Sequence, residues 1–192
     1  MSFRVLATKL ARRPLFEASI KVPATVEVSK VADQLVFAGP LGTSRLGLSS
    51  IDSLGDAAFK LIPEEREIAV CTPNKAFFGT LQSLLRNKIE GVTKGFLVYL
   101  RISGIGYRAA IDGQTITFKL GYSHDVAYDL PSSMRAFLPE PTLIGLYGID
   151  KNQVTQAAAN IVRLRPPSVY KGKGIRLADA VLRLKAGKTK GK

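Results

Sequence analysis

Four short runs in this 192-residue chain carry residue types that could do chemistry. Gly104-Ile105-Gly106-Tyr107-Arg108-Ala109 is a relaxed dinucleotide fingerprint behind the strand-like run Phe96 to Ile102. Such a fingerprint needs a helix opening at its last position, so that N-terminal amides meet a pyrophosphate. Here Asp112-Gly113 turns the chain three residues later, and the glycines instead predict a bulge or a close backbone approach in a sheet. Ser123-His124-Asp125 holds the residue types of a hydrolase triad, yet neighbours on a strand point to opposite faces and cannot align as nucleophile, base and orienter. His124 reads as a turn or surface imidazole, with an RNA contact as the alternative. Gly187-Lys188-Thr189 resembles the end of a phosphate-binding loop, but position 182 is Leu where that loop requires Gly.

The fourth run differs in kind. Arg163-Leu164-Arg165-Pro166-Pro167-Ser168-Val169-Tyr170-Lys171-Gly172-Lys173-Gly174-Ile175-Arg176 alternates cations with glycines, which let a backbone approach phosphates, and carries an aromatic able to stack on a base. Pro166-Pro167 and the apolar Ile175 predict a docked loop rather than a solvated tail.

Charge placement supports the same reading. The chain holds 28 Lys+Arg against 15 Asp+Glu, a net charge of +13. Residues 1–30 contribute +4 and residues 163–192 contribute +9, leaving a neutral body. A neutral body with a strongly basic end is the electrostatic footprint expected for a polyanion partner. Other classes recede. With one cysteine, Cys71, and one histidine, the chain builds neither a disulfide framework nor a zinc site of the usual ligands. Cys71 ends an apolar strand and reads as a small core residue. No apolar run approaches the roughly 18 residues that span a bilayer, so no membrane role is expected.

The elements that must position these residues repeat. Gln34 to Gly42 followed by Thr43 to Ser50 matches Gln114 to Gly121 followed by Tyr122 to Asp129, each reading as strand, Gly, strand. Apolar strands come next, at Glu67 to Cys71 and Thr142 to Tyr147, and each half closes with a helix. In the first helix Thr72 is the expected cap with Pro73 at the first helical position, Phe77, Leu81, Leu84, Leu85 and Ile89 form the apolar stripe, and Gly91 is the stop. In the second, Asp150 and Gln153 suggest a capping box ahead of Val154, Ala157, Ala158, Ile161 and Leu164, with Pro166 and Pro167 as the end. Asp112-Gly113 reads as a hairpin turn between Tyr107–Ile111 and Thr115–Leu120. The pattern predicts an α+β fold, a tandem duplication of a module with an antiparallel sheet and one helix, plus a basic C-terminal extension.

Pro167 to Ile175, with its Tyr-Lys-Gly-Lys-Gly core, resembles the signature of the bacterial-type L6 family of large-subunit ribosomal proteins. Gly104 to Ala109 and Leu120-Gly121-Tyr122-Ser123-His124 are similar to that family's second-domain strands, and Ile20-Lys21-Val22-Pro23 to the start of its first domain. The likeness runs from about residue 20 to about residue 185 and departs at Ser168-Val169, where bacterial members usually carry Glu-Pro. It implies a structural, non-catalytic protein of the large subunit that binds large-subunit rRNA near the sarcin-ricin loop. The implied partners are neighbouring ribosomal proteins and, nearby, translational GTPases, with no cofactor. The rRNA-binding candidates are Arg163, Arg165, Tyr170, Lys171, Gly172, Lys173, Gly174 and Arg176 in the tail, and Tyr107, Arg108, Ser123 and His124 in the second module.

The expected organisation is a basic N-terminal extension at 1–19, a first repeat at 20–92, a second at 93–166 and a basic rRNA-binding segment at 167–192. Met1 to Phe16 holds four basic residues and no acid, with Phe3, Leu6 and Leu10 along a helical face, a composition similar to a mitochondrial targeting segment. A mitochondrial ribosome is therefore favoured over a bacterial or plastid one. The rivals are an organellar nucleic-acid-binding accessory protein acting off the ribosome and a small nucleotide-dependent enzyme using the 104–109 loop.

Overall fold

The computed structural model describes residues 16–47 and 57–187. The N-terminal stretch read as a targeting segment, the far end of the strand expected through Ser50, and Lys188 and Thr189 lie outside the described residues. The chain divides into two compact units, one ending at Gly95 and the other beginning at Phe96.

In the first unit the strands are β1 (Phe16–Lys21), β2 (Glu27–Val31), β3 (Gln34–Gly39), β4 (Gly42–Gly47), β5 (Ala58–Ile62) and β6 (Glu67–Thr72), followed by helix α1 (Lys75–Thr93). They form two three-stranded antiparallel sheets, ordered β1-β6-β5 and β2-β3-β4. In the second unit come β7 (Phe96–Ser103), β8 (Arg108–Asp112), β9 (Thr115–Lys119), β10 (Val126–Asp129), β11 (Met134–Glu140) and β12 (Leu143–Gly148), then α2 (Lys151–Leu164) and β13 (Gly174–Leu177). Here the sheets are β10-β9-β8 and β11-β12-β7-β13. Through the helix the units agree element for element, and β13 is an addition to the second. In each, the first strand pairs antiparallel with the sixth and the second, third and fourth form a separate meander. The expected α+β duplication is therefore present, with two sheets per unit where the sequence suggested one.

Both helices form where the apolar period of three and four places them, and their ends depart from expectation. Asn74, not Thr72, caps α1, its Oδ1 accepting from the amides of Ala76 at 3.1 Å and Phe77 at 3.5 Å. Thr72 ends β6, and its hydroxyl oxygen accepts from the Asn74 amide at 3.3 Å. Pro73 therefore precedes the cap. Nor does Gly91 stop the helix. It lies buried within the last turns, and the chain leaves at Gly95, whose φ of 74° suits a residue without a Cβ. Leu81, Leu85 and Ile89 are buried as the stripe required, while Phe77 and Leu84 are half-buried. Asp150 caps α2, accepting from the Asn152 amide at 3.1 Å.

The core of the second unit is one cluster. Val154, Ala157, Ala158 and Ile161 of α2 meet Leu100 and Ile102 of β7, Ile144 and Leu146 of β12 and Ile175 of β13, with Ile116 and Phe118 from the meander. The small alanines let the helix approach the sheet. At the hairpin, Asp112 pairs with Thr115, so the two-residue turn is Gly113-Gln114, one position later than expected, with Gly113 at φ 59°. The strand expected over Tyr122–Asp129 is shorter. Tyr122 to Asp125 form an irregular bend, and pairing begins only at Val126.

Candidate nucleic-acid interface

The 104–109 run packs partly on itself, through Tyr107 over Gly104, and partly on the rest of the unit, through buried Ala109, whose amide donates to the Pro141 carbonyl at 2.9 Å. Gly104 to Gly106 form a turn between β7 and β8, with the Tyr107 amide donating to the Gly104 carbonyl at 3.3 Å. The bulge reading is thus corrected, because the run joins strands of two different sheets. The close-approach reading holds for a specific reason. A Cβ on Gly104 would lie 2.4 Å from Cδ2 of Tyr107, and one on Gly121 would lie 3.0 Å from Cε1 of the same ring. The two glycines make room for Tyr107, and no helix opens here to receive a pyrophosphate.

The Tyr107 ring marks one corner of a cluster centred on Tyr122. The Arg165 guanidinium carbon stands 4.7 Å from the Tyr122 ring centroid, a cation–π distance. The His124 ring is stacked near it, with centroids 6.1 Å apart and planes at 19°. The Tyr122 hydroxyl donates to the Leu164 carbonyl at 3.1 Å, anchoring the ring to the end of α2. The Tyr122 and then the Tyr107 phenol raise the Arg165 pKa above its ordinary value. Sequence reasoning passed over Tyr122, although it lies in the run Leu120 to His124. Its exposure beside a left-handed Gly121 (φ 77°) is visible only in the fold.

Arg165 also begins the basic loop, which is closed on itself. The Ile175 amide donates to the Arg165 carbonyl at 2.8 Å, Ser168 to Lys173 at 2.9 Å and Gly172 to Ser168 at 2.8 Å. The Lys185 amide donates to the Val169 carbonyl at 2.9 Å, so the following segment runs alongside the loop. Ile175 is fully buried, as a docked loop demands. Tyr170 is 61% exposed at the tip, between exposed Val169 and exposed Lys171, with half-buried Gly172 and exposed Lys173 following. Gly172, at φ 66°, provides the left-handed turn.

The remaining candidates sit in different settings. Arg163 is exposed in the last turn of α2. Arg176, half-buried on β13, donates Nη1 to the Ala180 carbonyl and so holds the outgoing chain. Gly174 is buried against the start of its own loop. Arg108 is exposed on β8 opposite Lys119, and Ser123 is exposed in the bend beside His124. Asp125 lies 3.6 Å from Lys119, while the His124 ring stands beside Tyr122. The structure thus joins Tyr107, His124 and Arg165 around Tyr122 and gathers Tyr170, Lys171 and Lys173 on the loop that Arg165 opens.

Cys71 is buried on β6. Burial, then the Glu17 charge, pushes its thiol pKa up, away from a reactive thiolate. Among the described residues no helix is long and apolar enough to cross a membrane.

Against known proteins, residues 103–177 match the family model for ribosomal protein L6. A large ribosomal subunit protein uL6m from Prototheca wickerhamii is 38% identical over 189 residues, covering 92% of this chain and 97% of the relative. A uL6 from Thermodesulfovibrio yellowstonii is 40% identical over 95% of this chain and 98% of its own length. A uL6 from Rhodopseudomonas palustris strain TIE-1 is 39% identical over 89% and 96% respectively.

Proposed function

This chain belongs to the ribosomal protein L6 family, and from that membership we propose that it binds large-subunit rRNA near the sarcin-ricin loop and supports the site where translational GTPases land. It is a structural constituent of the large ribosomal subunit, not an enzyme. The observation that carries the rRNA reading is the closed basic loop of residues 165–175, which presents Tyr170, Lys171 and Lys173 outward from a base buried at Ile175. A loop pinned at both ends has its cations ordered in advance, so little entropy is lost when phosphates are met. Arg165 and Tyr122 continue the same basic and aromatic surface toward His124.

The compartment we favour is the mitochondrion. It is supported by the acid-free basic composition of Met1 to Phe16 and by the uL6m relative, while bacterial uL6 proteins match at similar identity. The experiment for the rRNA reading changes Lys171 and Lys173 together to Glu in a tagged chain and follows it by sedimentation. Loss of the variant from large subunits, with its circular dichroism unchanged, is the expected result. Unchanged incorporation would remove the loop from the interface. A wild-type chain that sediments apart from subunits would instead favour an accessory protein acting off the ribosome.

A further inference from the structure

Within the second unit, and among its described residues, α2 packs on one face of the four-stranded sheet and leaves exposed side chains on the other. Along β7, Leu100 and Ile102 are buried against α2, whereas Leu97, Tyr99 and Arg101, at the alternate positions, point the other way and are exposed. The strand register orders that open face into rows. The middle row is Phe137, Gly145 and Tyr99, on β11, β12 and β7. Gly145 has no side chain, and the Phe137 ring lies over it, since a Cβ there would come 2.3 Å from Phe137 Cζ. Tyr99 meets Phe137 edge to face, with centroids 6.1 Å apart and planes at 85°. The rings are 38% and 41% exposed. One flanking row is Arg135, Tyr147 and Leu97, and the other places Arg101 between Leu143 and Arg176. Exposed arginines thus stand on both sides of an aromatic row, and Glu140, opposite Leu143, is the acid nearest them in the register.

We propose that this open face is a second RNA-binding surface, which takes a single-stranded RNA segment by stacking bases on Tyr99 and Phe137 while Arg101 and Arg135 meet its phosphates. It rests on the rRNA-binding reading above but uses none of the loop's residues. The chemistry argues for the occupant. Unpaired bases stack on aromatic rings without regard to sequence, and an antiparallel sheet backed by a helix presents such rings in fixed rows about 5 Å apart from strand to strand. Guanidinium groups match phosphates in a bidentate fashion, and the face carries arginine rather than lysine. An apolar protein partner would not need cations on both sides of the row.

The test uses the full chain and a single-stranded RNA of about 12 nucleotides with no self-pairing, read by fluorescence anisotropy. Tyr99→Ala with Phe137→Ala should weaken binding at least about tenfold. Because Phe137 covers Gly145, folding is checked by thermal melting, and a second variant leaves the rings in place. Arg101→Gln with Arg135→Gln should flatten the salt dependence by about 1.4 in slope, at roughly 0.7 per lost contact. Ultraviolet cross-links from bound RNA should fall on Tyr99 or Phe137. The idea fails if both variants bind the single strand as the wild type does. It also fails if they block incorporation into subunits with RNA affinity unchanged, since a protein would then cover the face. Lys171→Glu with Lys173→Glu separates the two readings. If it leaves incorporation intact, the loop reading falls while the face keeps its own readout in single-strand affinity.

Discussion

A Cβ on Gly174 would lie 2.7 Å from the carbonyl oxygen of Arg165, and as close to that of Pro166. The second glycine of the Lys-Gly-Lys-Gly run is therefore occupied by the loop's own backbone, where it crosses the strand's first residue. Its φ of 142° adds to the restriction. The sequence suggests that this glycine lets the backbone approach a phosphate, whereas the group it lies against is the protein's own backbone.

Gly174→Ala should open the base of the loop at a cost of about 1–3 kcal/mol from backbone strain. Each kcal/mol corresponds to about 4–8 °C in a domain of this size, so a thermal melt will show it. Gly172→Ala keeps a strained φ of 66°, but the new Cβ would have Leu184 Cδ2, on a flexible side chain, 3.5 Å away, so it should cost less. An equal loss at both positions would contradict the crossing argument.

Affinity for large-subunit rRNA should depend steeply on salt. If about six of the ten cations from Arg163 onward neutralise phosphates, log affinity falls with log salt at a slope of roughly −4 to −5. Replacing Lys171 and Lys173 by Gln should reduce that slope by about 1.4 to 1.8. A slope near zero for the wild type would mean that these cations meet something other than a polyanion.

Ending the chain at Val162 is a poor way to remove the charge, because it also removes β13. Ile175 is buried in the core, and its strand pairs with β7 from Ser103 to Leu100. Losing that side chain alone should cost about 2–5 kcal/mol. The truncated chain is expected to melt well below the full one, as followed by circular dichroism. An unchanged melting temperature would show that the second unit folds without its C-terminal strand.

His124→Gln should be nearly silent in assembly and in subunit function, because an exposed imidazole stacked beside Tyr122 serves a contact rather than proton transfer. Tyr122→Ala should have the larger effect. It removes the hydrogen bond to Leu164 and the ring that Arg165 faces, and rRNA affinity should fall with it. Loss of subunit function in His124→Gln with assembly preserved would return a chemical role to that residue.

Replacing Arg4, Lys9, Arg12 and Arg13 by Gln tests the other end of the chain. If that segment only directs targeting, mitochondrial import of a tagged chain drops and rRNA affinity is constant. A fall in affinity and salt slope with import unaffected would make it an RNA contact and would remove the compositional argument for the mitochondrion.

The sequence by itself determined the elements whose signals are local. Apolar spacing of three and four, with a polar residue before each run, placed α1 and α2, and the paired strand-Gly-strand patterns exposed the duplication. The basic loop was legible from charge, glycine and proline alone. Local signals were weaker at β5, where the apolar residues do not alternate, and at β13, which looks like part of a basic tail. What made β13 a strand is the free edge of β7, about 70 residues earlier in the chain, and Ile175 completing a core it could not know from its neighbours. The shift of the α1 cap from Thr72 to Asn74 has the same origin, since pairing with Phe16 holds Thr72 in the sheet. Tertiary structure alone decided that Arg165 would stand over Tyr122, and that Phe137, Gly145 and Tyr99 would share one row. Those pairings depend on strand register and on the angle at which α2 meets its sheet, and such long-range contacts leave no periodic trace in the residues that make them.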